Sequence, residues 1–328
     1  LGTEASFTGH FEINTEKKIF GPHADPFTMP MQHHVGYTPT HGNHILKSGL
    51  CATCHTVNTT SVDAEGRVTS DHEFHEQSPY LEWRNSVFND EVANPSKAAK
   101  SCQACHMPTT DVDGNSISTR LAHNPGGRDF PFLKARKPFG RHAFLGANTL
   151  MKRILRDNAE ELGVIASTSA FNQSIEQTGT FLGTETAKIK IKPVSVDGNR
   201  IRIPVSVHNL SGHKLPTAYP SRRVWIQLTV TNTAGKKVFS SGQFNADGEL
   251  IDSAGNVLPS ELAGGPINEH KSVINRPDQV QVYETIMGDA GGKPTFTLLR
   301  GATYVKDNRL LPLGWKPDHA DGPATRPN

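Results

Sequence analysis

The sequence has few cysteines, few aromatic residues and no long apolar run. Of its 328 residues, four are cysteines, 7% are aromatic and 35% are hydrophobic. No apolar run approaches the roughly 20 residues that a transmembrane helix needs, and residues 1–20 contain no apolar segment of the signal-peptide kind. We therefore predict no transmembrane segment and a core with little apolar material of its own.

Neither sign of charge dominates the sequence. Lys and Arg together number 34 and Asp and Glu 32, which gives a formal net charge of +2. Nucleic acids and anionic membranes attract proteins with a clear excess of positive charge. We therefore expect no nucleic-acid partner. The length is sufficient for two domains.

All four cysteines belong to two copies of the pattern Cys-x-x-Cys-His, at 51–55 and 102–106. Two thiols three positions apart lie on one helical turn and can form thioethers to the two vinyl groups of one porphyrin, while the adjacent imidazole binds the iron. The sequence thus predicts two covalently bound haem c groups. The residues that would hold them are four thioether-forming cysteines, Cys51, Cys54, Cys102 and Cys105, and two proximal histidines, His55 and His106.

Zinc is the main alternative for the two motifs, because four thiolates can form a tetrahedral cage. The 47 residues from His55 to Ser101 exceed the usual spacing of a zinc ribbon, and a histidine follows both cysteine pairs. Two disulfides or a thioredoxin-like pair would not require that histidine. Haem is therefore the preferred interpretation.

Covalent haem attachment has consequences for the fold and for location. Each haem would supply a large flat apolar surface, so the haems are expected to form the nucleus of their domain. Attachment to this motif takes place outside the bacterial cytoplasm. We therefore expect a periplasmic or cell-surface protein, with a signal or a larger upstream region removed.

The chain is predicted to be α+β: a loop-rich and helical c-type haem domain followed by an antiparallel β-sandwich domain. The predicted boundaries are 1–140 for the dihaem domain, 141–186 for a helical segment that packs on it, and 187–328 for the β-sandwich with its C-terminal tail. Helices are predicted at about 78–83, 96–106, 142–163 and 167–182.

From about residue 188 the apolar residues recur with a period of two, which is typical of strands. These runs lie at 189–191, 201–207, 224–230, 280–282 and 296–298, and Asp197-Gly198 and Ala234-Gly235 supply turns between runs. The polar residues 71–76, just before the helix at 78–83, are interpreted as a solvated turn.

Each haem bound through its motif histidine has one open axial position, and the group that fills it decides between electron transfer and substrate binding. Five of the 16 histidines lie within the 22 residues from His23 to His44, which favours a distal ligand in that segment. His142 and His213 are further candidates. For His213 the alternative is a hydrogen-bonded role in its Gly/Pro-bent loop.

With its motifs in place, the chain resembles a group of bacterial multihaem cytochromes c. The similar segments span most of the chain: SGL at 48–50, QSPYLEW at 77–83, SCQACHMP at 101–108, HAFLGAN at 142–148, GHKLPT at 212–217 and KDNRLLP at 306–312. In that group the haems are typically six-coordinate with two histidines. The resemblance implies His34 and His142 as the preferred distal ligands, with His213 in reserve.

The residues and the resemblance together favour a dihaem electron-transfer protein whose partners are other redox proteins, with self-association or a larger multihaem assembly as a further expectation. Two haems are fewer than many relatives of that group have, so a long electron wire is not expected from one copy. An enzyme with one open iron, such as a peroxidase or an oxidoreductase for a small nitrogen or sulfur compound, stays an alternative. A surface binding or assembly module with structural haems is another.

Overall fold

The computed structural model describes residues 1–111, 113–122, 128–146 and 149–328. The predicted α+β class is confirmed, because short helices and antiparallel sheets share the chain. In the described ranges, no helix is both long enough and apolar enough to cross a membrane. The helices are α1 Met29–Val35, α2 Ser48–Ala52, α3 Pro79–Arg84, α4 Cys102–His106, α5 Thr149–Asp157, α6 Thr168–Glu185 and α7 Gly322–Thr325.

Most strands are short and pair in twos. Four of them form the largest sheet, in which β14 pairs with β9, β15 and β16. The strands are β1 Lys18–Gly21, β2 Thr38–His41, β3 Val57–Val62, β4 Val68–Gln77, β5 Ala187–Ile191, β6 Ser195–Asp197, β7 Arg200–Arg202, β8 Val205–Asn209, β9 Arg223–Trp225, β10 Leu228–Thr231, β11 Lys237–Ser241, β12 Gln243–Phe244, β13 Leu250–Ile251, β14 Val282–Gly288, β15 Pro294–Thr295 and β16 Thr303–Asp307.

The chain forms two compact units that alternate along the sequence. The first comprises residues 1–57, 79–213 and 312–322, and the second comprises 58–78, 214–311 and 323–328. Strands β5 to β8 thus belong to the unit that carries both cysteine motifs. The boundaries 1–140, 141–186 and 187–328, and the packing of the sheets as a sandwich, stay predictions.

In the first unit, helix α3 supplies the main buried apolar surface. Its Tyr80, Leu81 and Trp83 are each 4% exposed, and Phe7 packs edge-on against Tyr80 with ring centres 6.1 Å apart. Pro79 begins the helix, as expected of proline at a first helical position. Helices α5 and α6 pack against each other in the same unit.

The second unit has an apolar cluster and a group of buried ion pairs. Leu250, Leu258, Val280 and Val282 form the cluster, and Trp225 packs against it. The ion pairs include Lys214 with Asp307 and Lys306 with Glu284, whose Nζ to carboxylate distances are 2.6 and 2.7 Å. Paired charges of this kind are the form in which ions are tolerated inside proteins.

Several local predictions are confirmed. Helix α3 lies at the predicted place, and α6 at Thr168–Glu185 matches the helix predicted at 167–182. The turn at Asp197-Gly198 joins β6 to β7, and the turn at Ala234-Gly235 joins β10 to β11, both as antiparallel pairs.

Other local predictions are wrong, each for a physical reason. Residues 71–76 lie in strand β4, where Phe74 is 4% exposed. The strand predicted at 296–298 does not form, and Leu298 begins a 3-10 turn, Leu298–Arg300. The helix predicted from residue 96 begins at Cys102, because the Lys100 N–H donates to the Phe88 carbonyl (2.9 Å) and Ser101 is the helix cap.

Candidate haem-binding site

Each cysteine motif lies on a single helical turn. Helix α4 carries all of the second motif, and the Ser101 hydroxyl caps it by accepting the Ala104 N–H (3.2 Å). Helix α2 ends one residue after Cys51, and the His55 N–H still donates to the Cys51 carbonyl (2.9 Å). The spacing therefore places the two cysteines and the histidine of each motif on about one turn of backbone, the arrangement expected for thioether attachment.

Hydrogen bonds connect the two motif segments. The Cys102 N–H donates to the hydroxyl of Ser48, which is fully buried, at 3.0 Å. The Gln103 amide nitrogen donates to the carbonyls of Ile45 (3.0 Å) and Lys47 (2.9 Å). One end of α4 is thus bound to the residues that lead into α2.

The thiols at the junction of the motifs also interact. A hydrogen bond between the thiols of Cys51 and Cys102 lowers the pKa of Cys51 and raises that of Cys102, because the donor must keep its proton. Burial raises the pKa of Cys105. The adjacency of Cys51 and Cys102 implies that two groups attached there would lie next to each other.

His106 has the hydrogen bond that orients a metal-binding imidazole. Its Nδ1 donates to the carbonyl of Leu145, and the Leu145 N–H donates back to the His106 carbonyl (2.9 Å). Metal-bound histidines nearly always donate their second ring N–H to a carbonyl, a carboxylate or water. The Leu145 carbonyl thus fixes the tautomer in which Nε2 is free to bind a metal.

The ring of His213 lies beside that of His106. Their centres are 6.2 Å apart and their planes differ by 12°. Two imidazoles on opposite sides of one metal ion, each bound at about 2 Å, have ring centres about 6 Å apart. The pair therefore has the spacing of two axial ligands, although the two histidines are far apart in sequence.

Two kinds of contact hold the loop that presents His213: hydrogen bonds to its backbone and the close packing of Gly212. The Asn209 amide and the Ser211 hydroxyl donate to the His213 carbonyl at 2.7 and 2.9 Å. Gly212 lies so close to Trp83 that an added Cβ would be 2.9 Å from its Cδ1. Both contacts restrain the position of His213.

His34 lies on α1 beside an apolar cavity of about 900 Å³. His23 and His33 line the same cavity, together with aromatic side chains such as Phe27 and Phe130. Imidazoles in an apolar surrounding are suitable as haem ligands. The described contacts do not relate this cavity to His55, which is exposed.

His142 lies in an exposed turn, with its ring 5.4 Å from that of Phe144. The helix predicted to begin there is instead α5, which begins at Thr149. Phe144 has a left-handed φ of 44°, and the Leu145 N–H is used by His106, so this backbone cannot continue as a helix. The end of the HAFLGAN segment, 147–148, lies outside the described residues.

The zinc alternative receives no support from the arrangement of side chains. Among the residues that the structure describes, no group of three or more His, Cys, Asp or Glu side chains could hold a metal ion. A cage of four thiolates would have formed such a group. The two motifs instead meet through the thiols of Cys51 and Cys102.

Some residues that position the site were not predicted from the sequence. Ser48 and Gln103 connect the two motifs. Ser48 lies three residues before the first Cys-x-x-Cys-His pattern and Gln103 lies inside the second, so their proximity to the cysteines could have indicated them. Glu91 accepts the Gly49 N–H at the start of α2 (3.1 Å), a long-range contact with no local signal. The Leu145 carbonyl belongs to the backbone, which carries no signal in the sequence.

The fold and the site define an α+β protein with two paired thiol and imidazole motifs. No protein-family model matches the chain, and no curated protein matches it. A similar solved structure is that of a penta-heme cytochrome c552 from Thermochromatium tepidum, with 16% sequence identity and a TM-score of 0.44. The match covers 90% of this chain and 54% of that one, so the chain spans about half the length of that protein. The likeness is weak, and a haem interpretation rests on the residues described above.

Proposed function

We propose that the protein is a dihaem c-type cytochrome that transfers electrons. The two Cys-x-x-Cys-His motifs, which contain every cysteine of the chain, carry this proposal. The residues fit the group, because each motif offers two thiols and an imidazole, and the His106 imidazole already has the orienting hydrogen bond of a metal ligand. A haem held between two imidazoles supplies one-electron chemistry without a substrate site.

For the second motif we propose His106 as the proximal ligand and His213 as the distal one. The near-parallel rings 6.2 Å apart support this pair. The segment from Arg141 to Leu145 supports it too: it bonds to the Nδ1 side of His106, and Arg141 N–H donates to the Pro108 carbonyl (3.0 Å). A residue of that segment would be on the wrong side of the ring to bind the same iron opposite His106.

For the first motif we propose His55 as the proximal ligand, with His34 or His142 as the distal one. The apolar cavity beside His34 supports the first choice. The exposure of His142 leaves its imidazole accessible to a haem iron and supports the second. Both stay predictions that single substitutions can separate.

The chain's own residues would then hold and tune the redox groups. The imidazoles keep the coordination the same in both oxidation states, so little rearrangement opposes electron transfer. Ser48, Gln103 and the thiol pair keep the two attachment sites adjacent. Redox proteins in the periplasm or at the cell surface are the proposed partners, and self-association would extend the path of the electrons.

Electron paramagnetic resonance of the oxidised holoprotein tests the proposal. We expect two low-spin signals and no high-spin signal from intact haem. The pair His106 and His213 should give a rhombic signal, because their ring planes differ by only 12°. A high-spin signal from intact haem would favour the oxidoreductase with one open iron, and a protein purified without covalent haem from a host able to attach it would overturn the proposal.

Substitution of His213 tests its role directly. His213→Ala should convert one of the two low-spin signals to high-spin and leave the other unchanged. His208→Ala is the matched control, because His208 lies on β8 five residues earlier and is exposed. Two unchanged low-spin signals in His213→Ala would refute the ligand pair while leaving the haem assignment intact.

A further inference from the structure

A short segment, residues 88–91, connects the two motif helices. At one end, the Phe88 carbonyl accepts the N–H of Lys100, two residues before the second motif begins (2.9 Å). At the other end, the Glu91 carboxylate accepts the N–H of Gly49, two residues before the first motif begins (3.1 Å). Residues between these two bonds therefore lie close to both attachment sites.

Hydrogen bonds hold both carboxylate oxygens of Glu91 in this segment. One carboxylate oxygen accepts the Gly49 N–H and the other accepts the Tyr80 hydroxyl (2.9 Å). Burial and the hydrogen bond to Glu91 raise the pKa of Tyr80, so the phenol remains the donor.

Asp90, the residue before Glu91, has a carboxylate oxygen that lacks such hydrogen bonds. Its Oδ1 is inaccessible and has no hydrogen-bond partner in the described structure. Burial, and then the charge of Glu91, raise the pKa of Asp90, while Lys47 opposes the shift. A carboxyl group with a buried, unpaired oxygen gains more from a proton than a solvated one does.

Asp90 has access to solvent protons through a cavity of about 800 Å³. The other ionisable side chains that line the cavity are His44, Lys47 and Glu91, and Leu1 lies at its wall. Asp90 itself lies between Phe88, which bonds to the backbone before the second motif, and Glu91, which bonds to the backbone before the first.

We propose that Asp90 takes up a proton when the adjacent haem is reduced. This inference rests on the proposed function. One electron arrives from a one-electron donor protein and adds one negative charge beside the Asp90 carboxylate. One proton then moves from solvent, through the cavity, to a carboxylate oxygen, so the net charge of the site is unchanged. Reoxidation returns the proton to solvent. Electron transfer at this haem is thereby coupled to proton transfer.

Potentiometric titration of the holoprotein across a range of pH tests the coupling. For one proton per electron, a tenfold fall in proton concentration lowers the midpoint potential by up to about 59 mV. We expect this slope at one haem, in a pH window above the ordinary aspartate value of 3.8. Asp90→Asn should abolish it, whereas Asp318→Asn, which changes an exposed carboxylate, should retain it.

A second variant tests the same point while Asp90 is kept. Lys47→Met removes the cation that favours the ionised form of Asp90. The pH range over which the midpoint potential falls should therefore move to higher pH. The inference is overturned by a flat wild-type potential, by a slope that survives in Asp90→Asn, or by an unmoved window in Lys47→Met. A slope lost in His44→Ala but kept in Asp90→Asn would assign the proton to His44 instead. Absence of covalent haem would refute the proposed function itself, so the two failures are distinguishable.

Discussion

Replacing Gly212 by alanine should displace the loop that presents His213. A Cβ at this position would lie 2.9 Å from Trp83 Cδ1 and 3.4 Å from Phe88 Cβ. Trp83 has no room to recede: it is 4% exposed, and its Nε1 donates to the Lys100 carbonyl (2.9 Å). The loop must therefore move away from the helix, and His213 moves with it.

The expected size of the effect follows from the tightness of the contact. Adding a methyl group to a well-packed contact costs about 1–3 kcal/mol. For a unit of this size, each kcal/mol lowers the melting temperature by about 2–4 °C. With His213 as the proposed distal ligand, a shift of its imidazole would also weaken the bond to iron, so a high-spin component should appear beside the rhombic low-spin signal.

The same substitution elsewhere in the unit provides the control. Gly179 lies inside α6, and an added Cβ would meet nothing within 4 Å. Alanine is the better helix former, so Gly179→Ala should stabilise the protein by about 0.4–1 kcal/mol. The two glycine substitutions are thus expected to have opposite signs, although the chemical change is identical.

Thermal unfolding and electron paramagnetic resonance of the wild type, Gly212→Ala and Gly179→Ala test this prediction. A Gly212→Ala protein as stable as the wild type, with both low-spin signals intact, would refute the close contact with Trp83. It would also remove the reason for expecting the loop to control ligation. Loss of stability without a change of spin state would leave the contact in place and argue against His213 as a ligand.

Two further predictions concern ion pairs of the second unit. Burial would raise the pKa of Glu261, but hydrogen bonds from Arg223 at 2.7 and 2.8 Å hold it below the usual 4.5. A lowered pKa contributes stability that is present above the unfolded value and lost as the pH falls through the folded one. Glu261→Gln should lower the free energy of unfolding by about 2 kcal/mol at neutral pH. In urea unfolding at several pH values, the variant should lose less of this free energy in acid than the wild type does, and an equal loss would contradict the prediction. Asp307→Asn removes the carboxylate that Lys214 and Arg309 share. Calorimetry should show that the free energy of unfolding falls by about 3–5 kcal/mol. A fall of less than about 1 kcal/mol would show that these ion pairs are dispensable.

The fold could be predicted from the sequence where structure is decided locally. Pro79 after a serine begins α3, and the turn at Asp197-Gly198 joins β6 to β7, because proline and glycine restrict the backbone at those points. Strand β4 could not be predicted. Its Phe74 packs against Tyr304, whose hydroxyl donates to the His75 carbonyl (3.0 Å), and no local pattern announces a partner so distant in sequence.

In the candidate site, too, local features could be predicted from the sequence and long-range contacts could not. The four cysteines and the two motif histidines could be proposed as haem-binding residues because each Cys-x-x-Cys-His pattern spans about one helical turn. The choice among distal histidines depends on long-range packing, such as the contact of Gly212 with Trp83 and the left-handed φ of Phe144. The proximity of His213 to His106 is a property of the folded chain, and residue type alone does not indicate it.

The motif helices are too short to be stable by themselves, and this determines how the site must work. Helices α2 and α4 have five residues each, whereas isolated helices shorter than about 12–15 residues are marginal in water. Their positions must therefore come from side-chain bonds: Ser48 to the Cys102 N–H, Gln103 to two carbonyls, and Glu91 to the Gly49 N–H. Burial, and then the charge of Glu91, raise the pKa of Asp90, so the residue that fixes the start of α2 also contributes to the proton affinity of its neighbour Asp90.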